Sequence, residues 1–149
     1  MKALVKRITH STAGVNTLAL RVPVGIIFMA HGAQKLFGWF GGYGLEGTGQ
    51  WMTSIGLEPG YLMALLAGSA EFFGGLALIV GLLTRPTAIV SAFTMLVAML
   101  SVHWSNGFFL SNGGIEFSLA LMTASIAVAL QGAGKLSLDH LILKKVSAR

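Results

Sequence analysis

Long apolar runs broken by single polar residues set the pattern of this chain. Four runs stand out, over about 18–37, 61–83, 87–104 and 115–130. Each approaches the roughly 20 apolar residues that a helix needs to cross a bilayer core. The first run, LALRVPVGIIFMAHGAQKLF, carries Arg21, His31, Gln34 and Lys35. An ionisable group at bilayer depth costs at least a few kcal/mol, so it turns toward the bundle interior or a wet cavity. At about 100° per residue, Arg21, Phe28, His31 and Lys35 fall within an arc of roughly 80°. The other helices must cover that stripe. The second run holds Glu71 near its middle, the third ends in His103, and the fourth opens with Glu116.

The connections are equally patterned. Gly38 to Gly60 reads GWFGGYGLEGTGQWMTSIGLEPG, too rich in glycine for a lipid-exposed helix in its first half. Trp39, Phe40, Tyr43 and Trp51 suit an interfacial belt. Residues Thr48 to Ile55 predict a short interfacial helix with Thr48 as its cap. Thr84-Arg85-Pro86 reads as a tight turn, and Ser105 to Gly114 as a polar turn enclosing a buried pair, Phe108 and Phe109. From Ser137 onward the pattern is that of a short amphipathic surface helix. Ala70, Gly74, Ala77 and Gly81 in the second run, and Glu116, Ala120, Thr123 and Ala127 in the fourth, are the expected helix-contact seams.

Composition narrows the class. Of 149 residues, 54% are hydrophobic and only 10% charged, against about 25% charged in soluble domains. The expectation is an all-α membrane protein, one domain over 1–149. It is read as a four-transmembrane-helix bundle with a Gly-rich outer loop between helices 1 and 2. Net charge is +5, but the basic residues sit at the ends of apolar runs, so they speak for orientation and against a nucleic-acid partner. Lys2, Lys6, Arg7, Arg85, Lys135, Lys144, Lys145 and Arg149 share one side, and Lys35 lies on the other. Both termini are therefore expected in the cytoplasm. The polar gap before Leu18, and Arg21 itself, argue that the first run is retained rather than cleaved as a signal peptide. The chain has no cysteine, which excludes disulfides, thiol chemistry and cysteine-ligated metals within it.

Placing each run's midpoint at the bilayer centre locates the polar groups. Glu71 is central, and His31 lies about 7 Å toward the outer face. His103, Glu116 and Lys35 lie about 11–12 Å out, and Arg21 about 8 Å toward the inner face. A pocket opening outward, roofed by the two glycine-rich loops, follows. Each group also has a structural reading. Glu71 needs a partner, Arg21 or Lys35, and that pair can do no more than fix helix register. His31 can be a hydrogen-bonded interior histidine, His103 with Trp104 an interfacial anchor, and Glu116 a complement to its helix dipole. Two histidines at helix ends raise a bis-histidine haem, but nothing else supports it. The Glu-x-x-His spacing of carboxylate metal bundles is absent, so no metal site is assigned.

The ordered set of residues resembles the DoxX family of small bacterial inner-membrane proteins. The likeness runs through Arg21, His31-Gly32-Ala33-Gln34-Lys35-Leu36-Phe37 and Gly56-Leu57-Glu58-Pro59. It continues in Glu71-Phe72-Phe73-Gly74-Gly75-Leu76, Gly81-Leu82-Leu83-Thr84 and Asn106-Gly107-Phe108-Phe109. It closes with Gly113-Gly114-Ile115-Glu116 and Gly132-Ala133-Gly134-Lys135-Leu136-Ser137-Leu138-Asp139. The resemblance implies a four-span inner-membrane protein, related to proteins associated with quinone-linked oxidation of sulfur compounds. It is a good argument for topology and a poor one for substrate.

On that basis the expected function is a quinone-interacting subunit of a redox complex. His31 and Lys35 would donate to the quinone oxygens, and Glu71 or Glu116 would relay protons. Trp39, Phe40, Phe108 or Phe109 would stack on the ring, with Arg21 and His103 completing the binding set. No cofactor is certain; quinone is the candidate and haem is disfavoured. The expected partners are the lipid bilayer and either another protein or further copies of the chain. Two alternatives stand beside this: a non-catalytic scaffold that recruits a partner, and passage of a small solute or proton.

Overall fold

The computed structural model describes residues 8–11 and 13–147. Lys2, Lys6, Arg7 and Arg149, counted above for orientation, lie outside these residues. Among the described residues the regular structure is all helical. In chain order the α-helices are α1 (Leu18–Phe37), α2 (Gly44–Ser54), α3 (Gly60–Val80), α4 (Thr84–Ala98), α5 (Glu116–Gln131) and α6 (Leu138–Ser147). Two helical stretches are long and apolar enough to cross a membrane, Gly60–Val80 and Thr84–Asn106. The second is α4 extended by a π-helical turn, Met99–His103, and a 3-10 turn, Trp104–Asn106. Helix α1 has 20 residues but carries four strongly polar ones, and α5 is apolar but only 16 residues long.

Glycine decides how α1 and α3 meet. A Cβ on Gly25 would stand 2.7 Å from the Gly75 carbonyl oxygen, and one on Gly75 would stand 2.5 Å from the Gly25 oxygen and the Met29 nitrogen. Gly32 presses on the backbone at Phe72 in the same way. Only bare backbones can approach so closely. The buried line of α3 is thus Gly60, Ala64, Gly68, Glu71, Gly75 and Leu78. This corrects the expected seam: Gly74 faces Thr87 and Ser91 of α4 at ordinary contact distance, and Gly81 is the left-handed cap that ends α3.

On α5 the expected seam is likewise displaced by about one residue. Ser118, Leu121, Ser125 and Val128 are buried, while Ala120 and Thr123 face outward. A small residue is not a buried residue when lipid can cover it as well as protein can. The apolar core joins Val24, Phe28, Leu78, Ala88, Met95, Leu121 and Val128. Large apolar side chains such as Leu66, Phe73, Ile89, Phe93 and Leu100 point outward. In water such a surface would drive association; against acyl chains it is the matched face.

One end of the bundle is sewn shut by the carboxyl-terminal segment. Arg21 is 1% exposed yet faces no carboxylate within hydrogen-bonding distance. Its guanidinium donates to the carbonyls of Leu78 at 2.7 Å and Ala133 at 3.1 Å, and to those of Ile79 and Leu136. Asp139 accepts from the backbone N–H groups of Leu83 at 2.8 Å and Thr84 at 2.9 Å, capping α4 from another element. Thr84-Arg85-Pro86 is therefore the first turn of α4, not a turn before it; the sharp bend falls one residue earlier, where Leu83 has φ 46. Proline is tolerated there because first-turn N–H groups lack helical partners anyway. Arg85 donates to Ala129 and His10, which brings the amino-terminal segment to the same end.

Two local expectations also change. Thr48 does not cap α2, which starts at Gly44 and leaves Thr48 buried within the helix. Phe108 and Phe109 are not a buried pair: they pack edge to face at 5.3 Å with more than half of each side chain exposed.

Candidate functional site

At the opposite end the helices spread around a cavity of about 760 Å³, within the range of sites for small organic ligands. Three of its polar groups come from α1. Gln34 and Lys35 share one turn facing it, His31 lies one turn before them, and Phe28 one turn deeper. From α3, Glu71 reaches Lys35: Nζ donates to Oε2 at 2.6 Å, with Glu71 only 4% exposed and Lys35 23%. Of the two partners open to Glu71, the structure takes Lys35. A carboxylate so buried is retained only because the ammonium both neutralises and hydrogen-bonds it.

The remaining walls are mostly apolar, with a few hydroxyl groups among them. Helix α2 contributes Thr48, Trp51 and Met52, α3 adds Met63, Leu66 and Ala70, and α4 adds Val90, Phe93 and Val97. Helix α5 contributes Phe117, Ser118 and Leu121, with the Phe117 ring 6.1 Å from that of His31. At the top of α4, the π-helical turn swings His103 to the cavity edge. There its Nδ1 pairs with the Gly113 oxygen at 2.7 Å. Such turns widen a helix by one residue and recur where a side chain must be re-aimed.

The residues singled out from sequence thus divide into two groups. His31, Lys35, Glu71 and His103 come together around one space. Arg21, Trp39, Phe40, Phe108, Phe109 and Glu116 do not line it. Arg21 is occupied at the far end by backbone carbonyls. Glu116 accepts from the Leu110 N–H at 2.8 Å and so braces the loop ahead of α5. Trp39 stacks on Phe37 at 5.1 Å, and Phe40 is 74% exposed on a left-handed backbone, φ 54. The aromatic lining is supplied instead by Phe28, on the stripe marked in the sequence, by Tyr43 and Trp51, assigned there to the interfacial belt, and by Phe93 and Phe117, which the sequence pattern did not single out. Phe117-Ser118 could have been found from the spacing of Ser118, Leu121, Ser125 and Val128, a clean three-four alternation beside the one chosen. Among the described residues no cluster of three or more histidine and carboxylate ligands forms.

An outward apolar face around an inward ion pair and cavity defines a helical membrane protein with a built internal site. The chain belongs to the DoxX family, whose model matches residues 16–104. It is 38% identical over 130 residues to a Bacillus subtilis (strain 168) protein named "Putative oxidoreductase CatD", covering 87% of this chain and 89% of the relative. It is 34% identical to "Inner membrane protein YqjF" of Escherichia coli (strain K12), covering 88% and 95%. To "Inner membrane protein YphA" of the same organism it is 29% identical, covering 83% and 87%. No solved structure matches it.

Proposed function

We propose that this protein is a multi-pass inner-membrane subunit that binds a quinone in the α1–α5 cavity and serves a redox complex. Helices α1, α3, α4 and α5 are its four spans, with both termini in the cytoplasm. The observation that carries the reading is the Lys35–Glu71 pair, set in a mostly apolar cavity beside His31. A quinone requires that combination: an apolar slot for its ring, N–H donors for its carbonyl oxygens and a carboxylate to pass protons on reduction. Lys35 and His31 are the donors, Glu71 holds the proton and His103 bounds the outer edge. Phe28, Trp51 and Phe117 flank the ring. The inner-membrane and oxidoreductase names of the relatives agree with this assignment. Electrons come from a partner protein or from the oxidised substrate, since no carrier is built from these side chains.

The test is mass spectrometry with an absorption spectrum on protein purified in mild detergent. A stoichiometric ubiquinone or menaquinone is expected, and lost from Lys35→Ala and His31→Ala. An empty wild-type protein, or unchanged quinone affinity in both variants, would overturn the assignment. A scaffold reading draws on the same ion pair as a register lock. It predicts instead a co-purifying protein and full function in His31→Ala.

A further inference from the structure

The cavity is not closed on its flank. A side chain that lines an internal space and also stands on the molecule's outer surface marks a mouth, and several do so along one line. Leu66 of α3 is 55% exposed, and Val90 and Phe93 of α4 are 48% and 64% exposed; all three line the cavity. One opening therefore runs between α3 and α4, on the face where large apolar side chains meet acyl chains; at the loop end the same space is also lined by Tyr43, 79% exposed, and Trp51, 38% exposed.

The polar atoms along this mouth are turned away from it. Thr94 Oγ1 donates to the Val90 oxygen at 3.0 Å, and Ser101 Oγ donates to the Val97 oxygen at 2.6 Å. Both hydroxyls belong to the lining of the cavity, and both spend their proton on their own helix. What passes between α3 and α4 thus meets methyl groups and aromatic carbon, with no donor to hold it. The charged pair Lys35–Glu71 and the His31 imidazole lie at the inner end. Along this cleft polarity rises from the lipid face inward, the reverse of a mouth that opens to water.

We infer that the α3–α4 cleft is a lateral portal through which a lipid-dissolved, long-tailed ligand enters from the bilayer. Its polar head docks at Lys35 and Glu71 while its tail stays between Leu66 and Phe93. The inference deepens the quinone reading and rests on it for the identity of the head, but the direction of entry is tested separately.

The chain's lack of cysteine makes the first test direct. In the full chain reconstituted in phosphatidylcholine vesicles, Ala70→Cys is labelled with a nitroxide. Its collision rates with dissolved oxygen and with a water-soluble nickel chelate are then compared. Oxygen collisions well above nickel collisions are expected, as for a site open to lipid. A nickel rate equal to the oxygen rate would place the mouth in water, and low rates for both would mean that the flank is covered; either result overturns the portal. The second test narrows the mouth with Val90→Trp, a surface position where lipid can accommodate the ring. Affinity for ubiquinone-10 should fall about tenfold, a change of about 1.4 kcal/mol, while that for tail-less ubiquinone-0 stays within about twofold. Equal losses for both would overturn the portal. If neither quinone binds the unmodified chain, the quinone reading fails, and the nitroxide result still decides the route.

Discussion

At the scale of single residues, the ion pair is the group whose removal discriminates most. Lys35→Met leaves the buried Glu71 carboxylate unneutralised and should destabilise the fold by about 3 kcal/mol. Replacing both, as Lys35→Met with Glu71→Leu, should recover most of that loss, because an apolar pair needs no compensation. Chemical unfolding in detergent measures the stability of each variant. Failure of the double variant to recover would mean that Glu71 has further partners. Function should not recover with stability if the pair handles a proton. The need for a partner at Glu71 was legible in the sequence, since an apolar run cannot hide a lone carboxylate. Which cation answers it was not, because Arg21 and Lys35 lie on the same helical stripe. The choice turns on depth: Arg21 is already spent on carbonyls of Leu78, Ile79, Ala133 and Leu136, contacts that no periodicity foretells.

At the scale of elements, two neighbouring glycines make a controlled comparison. Gly75→Ala drives a methyl group into the backbone of α1 at Gly25 and Met29, which cannot give way, so a loss of about 3 kcal/mol is expected. Gly74→Ala meets only side-chain atoms of Thr87 and Ser91, at 3.5 and 3.7 Å. It should stay within about 1 kcal/mol of the unmodified chain, with helix propensity in its favour. Similar losses for the two would show that the α1–α3 contact is looser than described. A second element-level prediction concerns the cap. Asp139→Ala removes acceptors for the first N–H groups of α4 and should cost about 1–2 kcal/mol, read in the same unfolding experiment. No change would mean that water satisfies those groups. Helix α1 coincides with the stretch 18–37 marked by its pattern, because its polar stripe is bounded by Gly38. On α3 the expected Gly74 does meet a helix, α4, while the close approach to α1 uses Gly75; on α5 Ala120 and Thr123 face outward. In a membrane, small residues face either protein or lipid, so size alone does not show the direction.

At the scale of the molecule, the two ends have opposite characters. One is closed by hydrogen bonds among residues 10–17, 78–85 and 131–139, and it carries Arg85, Lys135, Lys144 and Lys145. The other holds the cavity, the exposed aromatics of the loops and Lys35. The proposed orientation predicts a labelling pattern. In spheroplasts a membrane-impermeant maleimide should modify Asn112→Cys and spare Lys145→Cys, with the preference reversed in inverted vesicles. The opposite pattern would invert the topology and place the cavity toward the cytoplasm. This polarity of ends was visible in the distribution of lysine and arginine. A pocket shared by the helices was also expected from the sequence, but the absence from it of Phe108, Phe109 and Glu116 was not, because loop conformation decides it.

The closure around Arg21 also bears on how the chain is made. The guanidinium donates hydrogen bonds to the carbonyl oxygens of Ala133 and Leu136, 112 and 115 positions further along. When the first helix leaves the ribosome, those acceptors have not been synthesised. Arg21 must then stay hydrated at the membrane surface, or inside the insertion machinery, until the last helices arrive. Assembly therefore finishes from the carboxyl end, and a chain cut short before Gly132 would keep the Leu78 and Ile79 acceptors but lose those of Ala133 and Leu136, leaving Arg21 half-satisfied and the chain a readier target for proteolysis.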